Sequence, residues 1–501
     1  LTKQASSQEL LLRDRKSGTP LLHWLYQELR LAILEGRLRP RSRLPSTRDL
    51  ARQYCVSRGT VVVVFEQLLA EGYLESQVGS GTFVVATIPD ELLQVQSNRV
   101  KKQEAIISSV GLSNRGRCME KTPFSLENVT EIGKPFRAHQ PALDAFPLDL
   151  WARISARIHR QAPRDLLANE DVKGFLPLRE AVTDYLGTVR GVKCTPEQVV
   201  IVPEVQLALD IVARLVLDPE DPVWIEDPGD PGARCILKSV GARLIPIKVD
   251  REGINVALGL QICPQAKLAY VTPAHQCPLG VSMSLNRRLD LLKWARQTNA
   301  WIFEDDYNSE YRYQERPLTT LQGLDESDSV IYAGSFSKML FPSLRLAYVV
   351  VPPKLINAFV AARSLIDRYC PIFQQAVLCE FMVEGHFARH IRRMRKLYAN
   401  RLSALLDASR SQLNGLLDIA ATNAGLETIG WLPEDIDDYK ATTAAAIYGL
   451  EVQPLSTYAM LQQERNGLIL GFASVDVSKI NQGVELLAFV LQTLTRISHK
   501  L

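Results

Sequence analysis

The run Ser335-Phe336-Ser337-Lys338-Met339-Leu340-Phe341-Pro342-Ser343-Leu344-Arg345 sets one lysine among small hydroxyl side chains and closes on an arginine. Upstream, Trp301-Ile302-Phe303 reads as a strand and runs into Glu304-Asp305-Asp306-Tyr307. The flanking chain alternates apolar runs of strand length with helical stretches: 199–202 before 206–217, 223–225 before 232–240, 268–271 before 289–298. Such alternation predicts an α/β fold around a mostly parallel sheet.

A chain of 501 residues needs more than one domain. Its 46% hydrophobic and 23% charged content is that of a globular protein. No apolar run approaches the ~18–20 residues that cross a bilayer. The opening Leu1-Thr2-Lys3-Gln4 carries no charged-then-apolar leader pattern, so a cytoplasmic protein without membrane partners is expected. None of the eight cysteines forms a C-x-x-C pair, which argues against a metal site.

The net charge of +3 is unevenly placed. Residues 1–85 hold 12 Lys/Arg and 8 Asp/Glu, whereas the other 416 hold 46 and 47. Arg37, Arg39, Arg41, Arg43 and Arg48 follow one another with no acid among them. A basic N-terminal module on a near-neutral body suggests a polyanion partner for that module, or else a solvated basic face.

Within it, Leu22, Leu25, Leu29 and Ile33 share one helical face. Ser46 is placed to cap a helix running to about Tyr54, and Ser57 a second helix over 58–72. Strands at 73–76 and 82–85 flank a Gly79-Ser80-Gly81 turn. Val61 to Phe65 are unusually apolar, so some must be core.

The ordered set Leu44-Pro45-Ser46, Arg48, Leu50-Ala51, Val56-Ser57-Arg58, Thr60-Val61, Glu71-Gly72-Tyr73-Leu74 and Gly79-Ser80-Gly81-Thr82-Phe83-Val84 resembles the GntR winged helix-turn-helix. The lysine run resembles the cofactor-lysine motif of fold-type I pyridoxal-phosphate (PLP) enzymes. The two together resemble MocR-type bacterial transcription regulators. The resemblance implies an N-terminal extension at 1–19, a DNA-binding winged helix at 20–86, a linker at 87–130 and an aminotransferase-like domain at 131–501. Its large part would span about 165–365 and its small α+β part about 366–501, around a seven-stranded type of sheet.

The resemblance also assigns roles. Arg48, Ser57, Arg58 and Thr60 would contact a double-stranded operator, Ser46 and Ser57 would bond phosphates while capping, and Gly79 and Ser80 would bring the wing to the minor groove or backbone. Lys338 would form a Schiff base with PLP, Asp305 (or Asp306) would pair with the pyridine nitrogen, and Tyr307 with the phenolic oxygen. Ser335, Ser337 and Arg345 would hold the phosphate, and His275 or Gln276 would touch the cofactor from a turn beneath the ring.

Several positions depart from the family. Glu204 stands where a glycine normally lets helix amides cradle the phosphate. Asp230 replaces an aromatic residue that covers the ring. The R-[IL]-x-[FY] strand that clamps a substrate carboxylate reads Gly467-Leu468-Ile469-Leu470-Gly471-Phe472, with Arg465 just upstream. The stretches near His139-Gln140-Pro141 and Ala168-Asn169 are also altered. The leading expectation is therefore a homodimeric regulator that senses an amine or amino-acid effector. The alternatives are a working aminotransferase with a DNA module, and a regulator with a vestigial PLP pocket.

Overall fold

The computed structural model describes residues 12, 19–77, 80–86, 111–120, 133–168, 170–313, 319–419 and 422–498. It divides into two compact units, Leu1–Val110 and Gly111–Leu501.

In the first unit α1 (Leu21–Leu34) packs on α3 (Arg58–Ala70), and α2 (Thr47–Gln53) joins α3 through a short turn. Both expected caps form: Ser46 accepts from the Asp49 amide and Ser57 from the Thr60 amide. Each satisfies a donor that the first helical turn leaves open. Val61, Val64, Phe65 and Leu68 turn into the core with Leu25, Leu29 and Ile33, while Val63 stays 46% exposed. The hairpin β1 (Leu74–Gln77) and β2 (Gly81–Val84) follows, and Arg43 bridges to Phe83.

The second unit begins with a finding the polar composition hid. Asn114–Glu120, inside the stretch read as linker, is a helix (α4). Seven residues are too few for a periodic signal, and Ser113 supplies the start by accepting from the Gly116 amide.

Eight strands form the main sheet: β3 (Val199–Val202), β4 (Pro222–Asp227), β5 (Arg243–Asp250), β6 (Gly253–Ile254), β7 (Leu268–Val271), β8 (Trp301–Asp306), β9 (Val330–Ser335) and β10 (Ala347–Val350). Their order is β3-β10-β9-β8-β7-β4-β5-β6. The run from β5 to β9 is parallel, whereas β10 is antiparallel to both neighbours and β6 to β5. The two-residue β6 makes the count eight instead of the expected seven.

Alternate strand residues face opposite ways, and each face has its own core. Val199, Ile201, Tyr348 and Val350 belong to one cluster, Val200, Val202, Ala347 and Val349 to another. The second cluster includes α5 (Val205–Val216), which packs on α6 (Pro231–Ser239). Helix α4 packs on α6 as well.

Beyond the sheet, α7 (His386–Gln412) packs on α8 (Val477–Ser498). A second, antiparallel sheet joins β11 (Asp418–Ile419), β12 (Glu427–Trp431), β14 (Gly467–Gly471) and β13 (Gln453–Pro454) in that order. Among the described residues no helix is long and apolar enough to cross a membrane, and no His/Cys/Asp/Glu group is placed to hold a metal.

Candidate functional site

A cavity of about 640 Å³ opens above the carboxyl ends of β7, β8 and β9. In open α/β sheets this end is the usual place for a ligand. Its walls come from the starts of α5 and α6, from His139, from Gln453 and Pro454 of the smaller sheet, and from Thr457 and Tyr458 in the turn that follows. Asp305, Tyr307, Ser335, Lys338 and Arg345 all reach it. Ser337 lies just behind, buried, with its hydroxyl 3.5 Å from the Leu346 carbonyl.

Strand alternation separates the two candidate acids. Asp305 faces the cavity and accepts from the Tyr270 hydroxyl at 2.7 Å. Asp306 points the other way, where Arg190 donates to it at 2.6 and 3.0 Å and the Tyr332 hydroxyl also bonds it. Asp306 is thereby committed to a buried ion pair.

Burial pushes the Asp305 carboxyl up to about 7, against the opposing pull of the Tyr270 hydroxyl and of Lys338. It is a group that a nearby cation would ionise. Lys338 Nζ sits 4.7 Å from the centre of the Tyr307 ring.

Two buried polar atoms at this cavity, Asp305 Oδ1 and Ser335 Oγ, have no hydrogen-bond partner among the described residues, and the buried Tyr307 hydroxyl meets the Cys277 thiol. Leaving such a group unsatisfied costs roughly 1–3 kcal/mol, so these two and the phenol beside one lysine mark a place for a polar guest. An acid, a phenol and a hydroxyl fit a protonated ring nitrogen, a ring oxygen and a phosphate.

The phosphate end is contested. Glu204 holds the N-cap position of α5, but its side chain caps no amide. It instead accepts from Arg345 Nη1 at 2.7 Å. Burial raises the Glu204 carboxyl above its ordinary value, while Arg345, Lys338 and the Ser337 hydroxyl pull it down. The guanidinium expected to grip an anion is thus already paired. Asp230 also acts locally: its Oδ1 accepts from the Ala233 amide at 2.7 Å and caps α6.

Two expected contacts lie elsewhere. Gln276 is buried and spends its amide on the turn: Nε2 donates to the Pro228 carbonyl at 2.9 Å and the Cys277 carbonyl at 2.6 Å, and Oε1 accepts from Leu279. His275 is also buried, and burial holds its imidazole at about 4, so it is neutral near pH 7. Its ring packs so closely on Gly425 that a Cβ there would lie 2.4 Å from Nε2. Neither residue lines the cavity, because the turn that carries them folds under Tyr307.

Sequence reasoning had assigned no ligand role to His139 or Tyr458. His139 Nδ1 is 3.1 Å from Glu427, and its Nε2 is 3.1 Å from the Tyr458 hydroxyl. Burial alone would raise Glu427, but His139, His275 and Lys338 outweigh it and hold the carboxyl at about 2. A separation of 319 residues between His139 and Tyr458 left no local pattern to read.

Arg465 does not enter the cavity. Its Nε donates to the Leu432 carbonyl at 3.0 Å, and Nη1 lies 3.6 Å from Asp418.

In the first unit Ser46, Arg48, Ser57 and Arg58 are exposed at the starts of α2 and α3, Thr60 is partly exposed, and Ser80 is exposed at the hairpin turn. Gly79 lies outside the described residues.

Comparison with known proteins matches residues 23–84 to "Bacterial regulatory proteins, gntR family" and residues 144–419 to "Aminotransferase class I and II". The chain is 40% identical over 475 residues to the probable rhizopine catabolism regulatory protein MocR of Rhizobium meliloti, covering 95% of this chain and 94% of that protein. Among solved structures it resembles an α-aminoadipate aminotransferase of Thermus thermophilus complexed with N-(5'-phosphopyridoxyl)-L-leucine, with TM-score 0.70, 26% identity and coverage of 76% and 98%. It also resembles the Pyrococcus horikoshii kynurenine aminotransferase in complex with PMP, with TM-score 0.67, 28% identity and coverage of 73% and 92%.

Proposed function

Because the chain belongs to the MocR-type branch of the GntR family of bacterial transcription regulators, we propose that its winged helix binds a double-stranded operator under the control of an amine effector held with PLP in the cavity at Lys338. The supporting observation is the convergence of the Tyr307 hydroxyl and the unpartnered Asp305 and Ser335 atoms beside that lysine.

PLP, when bound, supplies an aldehyde that condenses with primary amines and a ring that withdraws electrons. The protein's part is to hold and orient. Lys338 Nζ would be the amine that anchors the cofactor. Asp305 Oδ1 would accept from the ring nitrogen, and the Tyr307 hydroxyl would hold the ring oxygen. Ser335, Ser337, Arg345 and the start of α5 would hold the phosphate.

Control would run through the cavity wall. The wall segment around Tyr458 is tied to the start of α6: Arg234 donates to the Thr457 and Ala459 carbonyls at 3.0 and 3.2 Å, and Gly229 to the Tyr458 carbonyl at 3.0 Å. Asp230 begins α6 in the cavity, and α4 lies on that same helix. An effector that prefers one arrangement of this wall would shift α6 and, with it, α4. A homodimer would present paired DNA modules to paired half-sites. A cytoplasmic setting follows from the operator role.

A scaffold with an empty pocket is the second reading, and the Glu204–Arg345 pair is what favours it. Titration of the purified chain with PLP separates the two. A visible absorbance band in the wild type, absent in Lys338→Ala, supports the sensor. No band from a folded protein supports the scaffold.

A further inference from the structure

A glycine and a valine on α3 have no reason inside the protein to be what they are. Gly59 lies exposed in the first turn of the helix, with ordinary helical backbone. Among the described residues a Cβ added there would touch only Ser57 Oγ, at an ordinary 3.7 Å. The fold would therefore accept alanine, and glycine is, after proline, the residue a helix tolerates least. Bare backbone at an exposed position suits an outside surface that comes close.

Val63 lies four residues further on, so the two share one face of the helix. Val61, Val64 and Phe65 are buried, whereas Val63 is 46% exposed. One exposed valine alone would need no explanation. Next to a glycine that the fold does not require, it makes a small apolar contact beside bare backbone. The surroundings are polar: Ser57, Arg58, Glu66 and Gln67 are exposed on the same helix and at its cap, and Arg48 is exposed on α2. An isolated methyl-bearing side chain with arginines nearby fits a polyanion that also carries isolated methyl groups.

The duplex major groove is such a surface. Thymine presents its C5-methyl there among polar base edges, and a recognition helix enters with its N-terminal residues foremost. We infer that Val63 is a specificity residue that packs on a thymine methyl of the operator, and that Gly59 lets the helix approach closely enough for it to do so. This rests on the operator reading above and deepens it: the arginines and the capping serines grip the duplex, and Val63 discriminates. Burying one methyl group is worth roughly three- to fivefold in affinity, which sets the size of the effect.

The test lets the full-length protein select its preferred duplex from a randomised library. Each thymine of that duplex is then replaced singly by deoxyuridine, which differs only in lacking the methyl. Affinities are read by fluorescence anisotropy for the wild type, Val63→Ala and Gly59→Ala, with Tm as the check on folding. Val63 is half-exposed and alanine favours a helix more than valine does, so that variant keeps its fold. The expected result is a thymine whose loss of methyl weakens wild-type binding by about the factor of one buried methyl. Val63→Ala should bind the parent duplex more weakly by a similar factor and lose most of its sensitivity to that replacement. Gly59→Ala should melt no lower than the wild type, yet bind the parent duplex more weakly.

A wild type indifferent to every deoxyuridine, or a penalty that Val63→Ala keeps in full, overturns Val63 as the reader and leaves operator binding intact. Gly59→Ala binding like the wild type overturns the close approach. Failure of the folded wild type to enrich any duplex overturns the operator reading and this one together.

Discussion

Replacing Glu204 with glutamine should tighten PLP binding, and the structure sets the scale. The Glu204 carboxylate lies 2.7 Å from Arg345 Nη1, at the N-terminus of α5, where an incoming phosphate would also sit. Two like charges ~4 Å apart repel by about 4 kcal/mol at an effective dielectric near 20. Much of this is lost here, because the Arg345 side chain is 63% exposed and Glu204 22%, so water and the guanidinium screen the pair. The same exposure limits what the ion pair gives the fold to roughly 1 kcal/mol or less.

A net gain of about 1.4–2.8 kcal/mol in cofactor binding remains, roughly ten- to a hundredfold in Kd. Glu204→Gln is nearly isosteric and keeps a partner for Ser337. The assay is a PLP titration followed by visible absorbance, with Tm as a check on folding.

The pH dependence has a definite sign. Burial lifts the Glu204 carboxyl above its ordinary value. Phosphate binding favours its protonated form, so affinity gains a component as pH falls. The glutamine variant lacks that component and shares Lys338 with the wild type, so its advantage should shrink as pH falls from neutral towards the carboxylate range. An unchanged Kd, or an advantage flat with pH, would refute the reasoning.

Asp305→Asn removes a charge-assisted bond worth ~1.5–3 kcal/mol and should weaken PLP binding ten- to a hundredfold in the same titration. A fold-neutral variant with wild-type affinity would exclude Asp305 as the ring partner. Ser57→Ala deletes the cap on α3, where the Thr60 amide donates at 3.0 Å, and should cost the N-terminal unit about 1 kcal/mol in denaturant melts. Arg58→Ala should weaken operator binding. A salt slope lower by about one unit assigns it to a phosphate, whereas relaxed base preference at one position assigns it to a base edge. No change in either removes Arg58 from the interface.

The sequence showed most clearly what depends on near neighbours. Ser46 and Ser57 cap helices because their partners lie three residues on, and the apolar spacing of Leu25, Leu29 and Ile33 carried the α1 core. The choice between Asp305 and Asp306 needed the strand's phase: one residue faces the cavity, the next a buried arginine. Glu204 and Arg345 were each noticed, but their pairing joins residues 141 positions apart and no local pattern encodes it. Gln276 shows the same limit, since a polar side chain in a turn looks available in sequence and only the structure shows its amide bonded to the turn's carbonyls. The α4 helix is too short and too polar to announce itself, and it gains its place by packing on α6.

The most direct test is the operator affinity of full-length protein carrying PLP, measured by fluorescence anisotropy with and without a binding amine, in the wild type and in Lys338→Ala. The account predicts that the amine changes wild-type affinity at least severalfold and leaves Lys338→Ala, which still binds DNA, unresponsive. An equal response in both proteins, or none in a wild type that holds its cofactor, would contradict it.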